Sequence, residues 1–365
     1  MIFVIKNNRL FYYFFTIFGI IVIGVSMNIY GITFEELEKY FVDRNDKKFK
    51  ATQVFDWVYR KRINSFDEMR NVSKETINTM NKDFYFEKLD LVQKLEDKDV
   101  SKYLFRLKDN ELVEAVLMYH DYGTSICIST QVGCNMGCKF CESGRLKKVR
   151  NLESFEMVSQ ILMVEDDINT RISHIVLMGI GEPFDNYDNV IKFIDIVNSD
   201  KGLAIGSRHI TVSTCGIVPK IREFANYDKQ VNLAISLHAP NDTLRSSIMN
   251  INKAYPISEV IDAVKYYISK TNRRVTFEYI MLKDVNDKIS NALELSKLLK
   301  GLNAYVNLIP YNETSHIEYK KSDQDTILKF YDTLKKNNIG VTIRREFGSR
   351  VKAACGQLRS HYKEV

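Results

Sequence analysis

The spacing of apolar residues changes character near residue 104 of the 365-residue chain. Before that point, apolar positions recur every three or four residues, as in Phe34, Leu37 and Phe41. This is the spacing of an amphipathic helix that buries one face. Thr33 and Glu36 have the separation of a capping box at the start of that helix. The pattern therefore predicts a small helical domain over residues 27–100.

Beyond this point, short β-branched runs alternate with amphipathic helices. Strands that are apolar on both faces are typical of a parallel sheet covered by helices. Six or more strand–helix units in one run favour an α/β fold, built as a full or partial (β/α) barrel over residues 101–345, over a doubly wound sheet. The candidate strands are "VEAVLMY", "SICISTQ", "ISHIVLMGIG", "HITVSTCG", "VNLAISLHA", "RVTFEYIML", "YVNLIPYN" and "GVTIRRE". Residues 346–365 form a separate C-terminal segment.

Residues 1–26 form an apolar N-terminal extension. The stretch "RLFYYFFTIFGIIVIGVS" has about the minimum length of a membrane span, and Lys6 and Arg9 lie at its start. Three explanations stay open: a start site placed upstream of Met27, a membrane anchor, or a signal peptide. We favour the start-site explanation, because Met27 is followed by "NIYGITFEELEKYF", which resembles the beginning of a domain. The lack of a clear small-x-small cleavage site argues against a signal peptide. We therefore expect a cytoplasmic protein, with membrane anchoring through this stretch as the alternative.

The amino-acid composition indicates a reducing compartment, but it does not identify a binding partner. With 45% hydrophobic and 27% charged residues, the chain is globular. A net charge of +6 is compatible with a nucleic-acid partner, although many soluble proteins are as basic. Six cysteines, three of them clustered, do not resemble the disulfide framework of a secreted protein. They fit a reducing compartment and a metal or redox site.

The stretch "CNMGCKFC" contains the clustered cysteines Cys134, Cys138 and Cys141 on a loop that follows a predicted strand. Cysteine thiolates hold iron–sulfur clusters, and a four-iron cube offers four iron corners. Three protein ligands leave one corner open for a molecule with an amine and a carboxylate, such as S-adenosylmethionine (SAM). A zinc site with a distant fourth ligand is the alternative. Zinc sites usually contain two C-x2-C pairs, and the sequence has no second pair.

The cysteine motif is followed by "GIGEPFDN", "VSTCGIVP", "SLHAPND", "NLIPYN" and "TIRREFG…AACGQLR" in that order. On these motifs, residues 27–360 resemble the RlmN/Cfr family of radical SAM RNA adenosine methyltransferases. The resemblance implies a radical SAM barrel that binds one [4Fe-4S] cluster with an open iron site and uses two SAM molecules per turnover. It also implies 23S rRNA and tRNA as partners. The basic residues of the N-terminal domain would contact this RNA, unless they form an ordinary solvated charged face. An external donor such as flavodoxin or ferredoxin would supply electrons.

The resemblance assigns roles to individual residues. Cys134, Cys138 and Cys141 match the cluster ligands, and Cys355 matches the cysteine that carries the methyl group. Cys127 matches the resolving cysteine, which would form a disulfide with Cys355 to release the product, and Glu114 matches the general base. The positions that match SAM contacts are Gly181, Glu182, Ser213, Ser236, Leu237, His238 and Asn312.

Several of these residues also have a purely structural interpretation. Glu114 could form a structural ion pair, Cys127 could be a core residue, and His238 could be a satisfied core histidine. Cys215 is interpreted as a packing residue. Glu142, directly after the last cluster cysteine, departs from the small residue that is common in the family.

Basic residues follow the cysteine motif at Arg145, Lys147, Lys148 and Arg150. They would contact RNA phosphates, unless they are ordinary solvated charges. Within the family, "GEP" and "IRREFG" favour methylation of adenosine C2, in the peptidyl-transferase region of 23S rRNA and next to the tRNA anticodon. A Cfr-type enzyme that methylates C8 and confers antibiotic resistance is the first alternative. A non-catalytic iron–sulfur RNA-binding protein is the second.

Overall fold

The computed structural model describes residues 26–344. Of the preceding residues, it describes the backbone of three strands, at residues 2–6, 9–16 and 19–23. The chain divides into two compact units. One contains the described residues up to Lys88 together with Asp195–Ala204, and the other contains Leu89–Ile194 and the residues from Ile205 onwards.

The first unit begins with an antiparallel sheet of strands β1 (Ile2–Lys6), β2 (Arg9–Thr16) and β3 (Gly19–Ile23). Strands β4 (Met27–Asn28) and β5 (Phe84–Tyr85) then form a parallel pair. Between them in the sequence lie helices α1 (Phe34–Val42), α2 (Lys50–Phe55) and α3 (Lys74–Asp83). A π-helical segment, Asp56–Arg60, continues α2. In the described part of the chain, no helix is both long and apolar enough to cross a membrane.

Helix α1 begins as its sequence predicts. The Thr33 hydroxyl accepts a hydrogen bond from Glu36 N at 3.1 Å, and the Glu36 carboxylate accepts one from Thr33 N at 2.9 Å. The box satisfies two of the N–H groups that a helix leaves without internal partners. Leu37 and Phe41 are buried on the inner face of the helix, as their spacing requires.

The second unit is built on one ten-stranded sheet with the order β17-β16-β15-β14-β13-β12-β9-β8-β7-β6. Its first strands are β6 (Asp90–Asp97), β7 (Val100–Arg106), β8 (Leu112–His120) and β9 (Gly123–Cys127), which pair antiparallel. A short separate pair, β10 (Gln131–Val132) with β11 (Arg150–Asn151), brackets the cysteine loop.

The remaining strands add to β9 in parallel and in chain order. They are β12 (His174–Leu177), β13 (Ile210–Thr214), β14 (Asn232–Ser236), β15 (Val275–Met281), β16 (Ala304–Pro310) and β17 (Gly340–Ile343). A doubly wound sheet would reverse its strand order at a switch point. The observed order has no reversal, which confirms the predicted partial (β/α) barrel.

Helices connect the strands. They are α4 (Ser154–Ile168), α5 (Tyr187–Asn198), α6 (Val218–Phe224), α7 (Asp242–Ile248), α8 (Ile257–Thr271), α9 (Ile289–Leu299) and α10 (Gln324–Lys336). Every strand predicted from the sequence is present in the ten-stranded sheet. This sheet contains two further strands, β6 and β7, that the sequence pattern did not predict. The parallel strands all point their carboxyl ends to the same edge, where barrel enzymes build their sites.

Candidate active site

A pocket opens at the carboxyl ends of the parallel strands. It is lined by residues of the cysteine loop, of the loops after β12, β13 and β14, and of strands β15 and β16, so that distant stretches of sequence meet there. The predicted site residues among them are Cys134, Cys138, Cys141, Gly181, Glu182, Ser213, Ser236 and His238. Leu237 and Asn312 lie outside this set, and their predicted SAM contacts stay predictions.

The cysteine loop owes its shape to two glycines with positive φ. At Gly133 (φ +73°) a Cβ would lie 2.1 Å from the Lys147 carbonyl oxygen, and Gly137 also has a left-handed backbone (φ +61°). Only glycine accepts such a close backbone approach together with positive φ. The loop is closed by Cys134 N, which donates to the Leu146 carbonyl at 3.1 Å. The cysteines are therefore held by backbone geometry.

The thiols have the surroundings of metal ligands. Burial raises the pKa of Cys134 to about 12 and the pKa of Cys138 well above its usual range, and the neighbouring thiols add to both shifts. Such thiols stay protonated until a metal displaces their protons. Among the described residues, no three His, Cys, Asp or Glu side chains are grouped closely enough to share a single metal ion. A zinc ion draws its thiolates to about 2.3 Å from one centre, whereas a cube spreads them over separate irons. Three thiols on one loop match the number of protein ligands of a cube with one open iron corner.

Glu182 is a buried carboxylate on the pocket wall. Its Oε1 accepts from Phe184 N at 3.0 Å, and its Oε2 accepts from Cys215 N at 2.8 Å. Burial raises the pKa of Glu182, and the Cys215 N–H opposes that shift. Each oxygen keeps a second lone pair. The carboxylate is therefore fixed in place and still able to accept a hydrogen bond from an ammonium group in the pocket.

Cys215 has more than the packing role expected from sequence. It lines the pocket, and its backbone N–H orients Glu182. Gly181 allows the chain to turn before Glu182, because it has φ +111° and a Cβ there would lie 2.7 Å from Gln131. The "GIGEP" and "STCG" motifs thus meet around one carboxylate.

His238 presents a hydrogen-bond donor to the pocket. Its backbone is left-handed (φ +59°), and its Nδ1 accepts from Ile280 N at 3.1 Å. Burial and the nearby Arg245 guanidinium lower the pKa of His238 to about 3. The ring is therefore neutral, and because Nδ1 accepts, the proton resides on Nε2. Beside it, the hydroxyls of Ser213 and Ser236 lie 3.4 Å apart.

Arg245 is a residue of this site that sequence reasoning missed. It lies on α7 and is fully buried, and burial lowers its pKa. Its guanidinium donates to five oxygen atoms: the carbonyls of Cys215, Ser236, Leu237 and Tyr255, and Asn252 Oδ1. One side chain thus ties together the loops that follow β13 and β14. No pattern in "NDTLRSSI" distinguishes it from an exposed helical arginine.

Changing Arg245 to methionine is expected to lower the free energy of unfolding by roughly 2–4 kcal/mol, since buried carbonyls would lose their donor. The measurement is denaturant unfolding of the cluster-free protein, with Arg222→Met as the control because Arg222 is exposed on the neighbouring helix α6. Equal stability of the two variants would contradict this role.

Glu114 and Cys127 lie on adjoining strands of the same sheet. Cys127 pairs directly with Val116, and both belong to one buried cluster with Met118 and Ile180. Because side chains two apart on a strand share a face, Glu114 points to that same face. The Ser129 hydroxyl donates to the Glu114 carbonyl at 2.6 Å and accepts from Ile180 N at 3.1 Å, which links this strand to the "GIGEP" loop. Cys355 lies outside the described residues.

The basic residues after the cysteines are largely neutralised within the protein. Lys148 pairs with Asp185 at 2.7 Å, Arg150 pairs with Glu156 at 2.8 Å, and Arg145 pairs with Glu142 at 3.1 Å. The buried Glu142, unusual beside a cluster ligand, is thus partnered by a guanidinium. These three cations support the loop, and the free positive charge near it is smaller than the sequence suggests.

A partial (β/α) barrel with a C-x3-C-x2-C loop and a carboxylate-lined pocket at its strand ends defines a radical SAM enzyme. A family model described as the radical SAM superfamily matches residues 128–295, and one described as the ribosomal RNA large subunit methyltransferase N-terminal domain matches residues 27–85. The chain belongs to the RlmN family of radical SAM RNA methyltransferases. This membership confirms the resemblance, the enzyme class, and the [4Fe-4S] cluster and SAM as cofactors.

Relatives match nearly the whole chain. A protein of Listeria welshimeri is 56% identical, over 91% of this chain and 93% of its own. One of Acholeplasma laidlawii is 54% identical, over 92% and 99%. Both carry the name probable dual-specificity RNA methyltransferase RlmN. The crystal structure of a radical SAM methyltransferase from Sphaerobacter thermophilus superposes with a TM-score of 0.86 at 39% identity, over 92% of this chain and 100% of that one.

Proposed function

We propose that the protein methylates C2 of adenosine in 23S rRNA and in tRNA next to the anticodon. The observation that carries the proposal is the meeting of the three-cysteine loop, Glu182 and His238 in one pocket, with Glu114 and Cys127 on the inner face of the adjoining strands. An ordinary polar methyl transfer has no good route to C2, because this carbon is neither nucleophilic nor acidic enough.

The pocket residues would bind SAM in a fixed orientation. Cys134, Cys138 and Cys141 would hold a [4Fe-4S] cluster, which supplies one electron to SAM and exposes an iron for its amine and carboxylate. Glu182 would accept a hydrogen bond from the SAM ammonium, and Nε2–H of His238 would donate one. Ser213 and Ser236 supply small polar side chains on neighbouring strands, and Gly181 lets the backbone approach the ligand.

The carbon would travel on the protein itself. The Cys355 thiolate attacks the methyl group of one SAM, forming a thioether and S-adenosylhomocysteine. The methylated Cys355 would then give up one hydrogen atom of its methyl group to a 5′-deoxyadenosyl radical made from a second SAM, and its methylene carbon would bond to adenine C2. The adduct then returns one electron to the electron-carrier chain. Protein and RNA are covalently joined at this stage.

Release would need a base and a second thiolate. Glu114 takes the proton from C2 and restores the aromatic ring. The Cys127 thiolate attacks the sulfur of Cys355, so that an S–S bond forms as the S–CH2 bond breaks. The electron pair of that bond stays on carbon, which takes up a proton to become the methyl group. A dithiol reductant then resets the disulfide.

Further assignments complete the proposal. Residues 27–100 would form an accessory domain that contacts RNA, which is supported by the family match over residues 27–85. Residues 101–345 would form the catalytic barrel, and residues 346–365 would deliver Cys355 to the pocket. A flavodoxin or ferredoxin would donate electrons in the cytoplasm.

The test is anaerobic reconstitution with iron and sulfide, followed by incubation of rRNA and tRNA fragments with labelled SAM. Nucleoside mass spectrometry is expected to detect 2-methyladenosine in both RNAs. Formation of 8-methyladenosine alone would identify a Cfr-type enzyme. RNA binding without any methylation in a reconstituted, reduced preparation would indicate a non-catalytic iron–sulfur protein.

A further inference from the structure

Lys102 and Glu114 form an ion pair inside the protein. Lys102 Nζ lies 2.9 Å from Glu114 Oε1, and their side chains are only 4% and 0% exposed. Two charges removed from water in this way are costly unless each compensates the other. Lysine and glutamate are rarely buried to this extent without a partner. The pair therefore needs an explanation beyond the ordinary surface salt bridges of the sheet.

The pair points to the catalytic side of the sheet. Lys102 on β7 lies opposite Val116 on β8, and Val116 lies opposite Cys127 on β9. Residues paired across antiparallel strands project to the same face, so Lys102, Glu114 and Cys127 share one face. Glu114 is two residues from Val116 on β8 and projects to the same face. It lies on the side of Val116 that is nearer to the carboxyl end of β9 and the cysteine loop. An ammonium group is thus built in beside the base, on the same face of the sheet as the resolving thiol and two strands away from it.

Among the described residues, the other charged or titratable side chains on the same face of the strands around Glu114 are Arg106 on β7, His120 on β8 and Cys127 on β9. Tyr103 and Tyr119 alternate to the opposite face of β7 and β8. Beyond β17, Arg344 reaches Met178, which packs against the buried cluster of Cys127. Lys102 contacts the Glu114 carboxylate directly, with Nζ 2.9 Å from Oε1.

We propose that Lys102 is a positioning residue that keeps Glu114 ionised for removal of the C2 proton. The proposal rests on the proposed function, in which Glu114 acts only after the RNA adduct has formed. A carboxyl group buried without a cation favours its neutral form, and a neutral carboxyl cannot accept the proton. The adjacent ammonium favours the carboxylate.

Because the pair acts at one step, its loss has a specific signature. In Lys102→Met, 5′-deoxyadenosine formation and methylation of Cys355 should continue at rates within about twofold of the unchanged protein, whereas decay of the protein–RNA adduct should slow by about tenfold or more at pH 7.5. Raising the pH should restore decay, because each pH unit changes the ionised fraction of a carboxyl about tenfold below its midpoint. The adduct is followed with labelled RNA on denaturing gels between pH 7 and 9.

Matched variants separate charge from structure. Lys102→Arg keeps a cation at this position. Its protein–RNA adduct should therefore decay nearly as fast as the adduct of the unchanged protein. Lys102→Gln, which retains volume and a donor, should behave like Lys102→Met and replaces it if the methionine variant does not fold. Lys94→Met is the control, because Lys94 on β6 pairs with Asp167 outside this site. Glu114→Gln should accumulate adduct at every pH.

Two results would overturn the proposal. One is decay at the unchanged rate in Lys102→Gln. The other is slow decay that does not respond to pH, which would mean that Lys102 only supports the fold. Failure of the proposed function is distinguishable, since the unchanged protein would then form neither methyladenosine nor any adduct.

Discussion

Changing Cys138 to alanine is expected to reduce RNA methylation to background and to leave the reconstituted protein without its iron–sulfur cluster. Cys138 lies between the other two cysteines of the loop and lines the pocket with them. Cys138 is partly buried, and desolvation raises its pKa well above the usual range. Two remaining thiolates cannot hold a four-iron cube that needs three protein ligands.

The measurement is iron and sulfide content per chain, together with the visible absorbance and the EPR signal after reduction. Lys139→Ala is the matched control, because Lys139 is exposed and lies in the same loop between Cys138 and Cys141. The control should bind the cluster as the unchanged protein does. A full iron content in Cys138→Ala would show that the cluster is held elsewhere, and the assignment of the three ligands would then be wrong.

Much of this architecture is encoded locally and could be predicted. The parallel strands are apolar on both faces, so their sequence pattern is strong. The helices between them have apolar residues at a clear helical spacing. Chain order along the sheet follows from those units. The cysteine spacing and the glycine-containing motifs at the strand ends located the pocket, since their positions relative to the strands are fixed by the barrel.

The parts that were missed depend on tertiary contacts. Strand β6, "DLVQKLED", is charged and largely exposed at the sheet edge, so it has no apolar pattern to detect. Strand β7 places Lys102 in a buried position where a lysine argues against a core strand. The ion pair with Glu114 stabilises the buried Lys102 side chain. The sequence alone does not show this partner, because the pair forms only through the register of β7 and β8. Arg245 was missed for the same reason, because its five acceptors come from three separate segments.

Changing Cys127 to alanine is expected to stop product release and to trap the protein joined to its RNA. Cys127 is buried on β9 opposite Val116, and the next in-facing residue on β8 is Glu114. In the proposed mechanism the steps before release need Cys355 and SAM but not Cys127. The variant should therefore consume SAM, form the adduct once, and then stall, because no thiolate is present to attack the sulfur of Cys355.

The trapped species is measured as labelled RNA that migrates with the protein on a denaturing gel and is confirmed by mass spectrometry of the digested peptide. Cys215→Ser changes a second buried cysteine and should leave no adduct, whatever its effect on SAM binding. Released methyladenosine without a crosslink in Cys127→Ala would exclude its resolving role. A crosslink in Cys127→Ala that disappears in the double variant Cys127→Ala, Cys355→Ala would assign the attachment to Cys355, because only its sulfur carries the methylene bridge to the RNA.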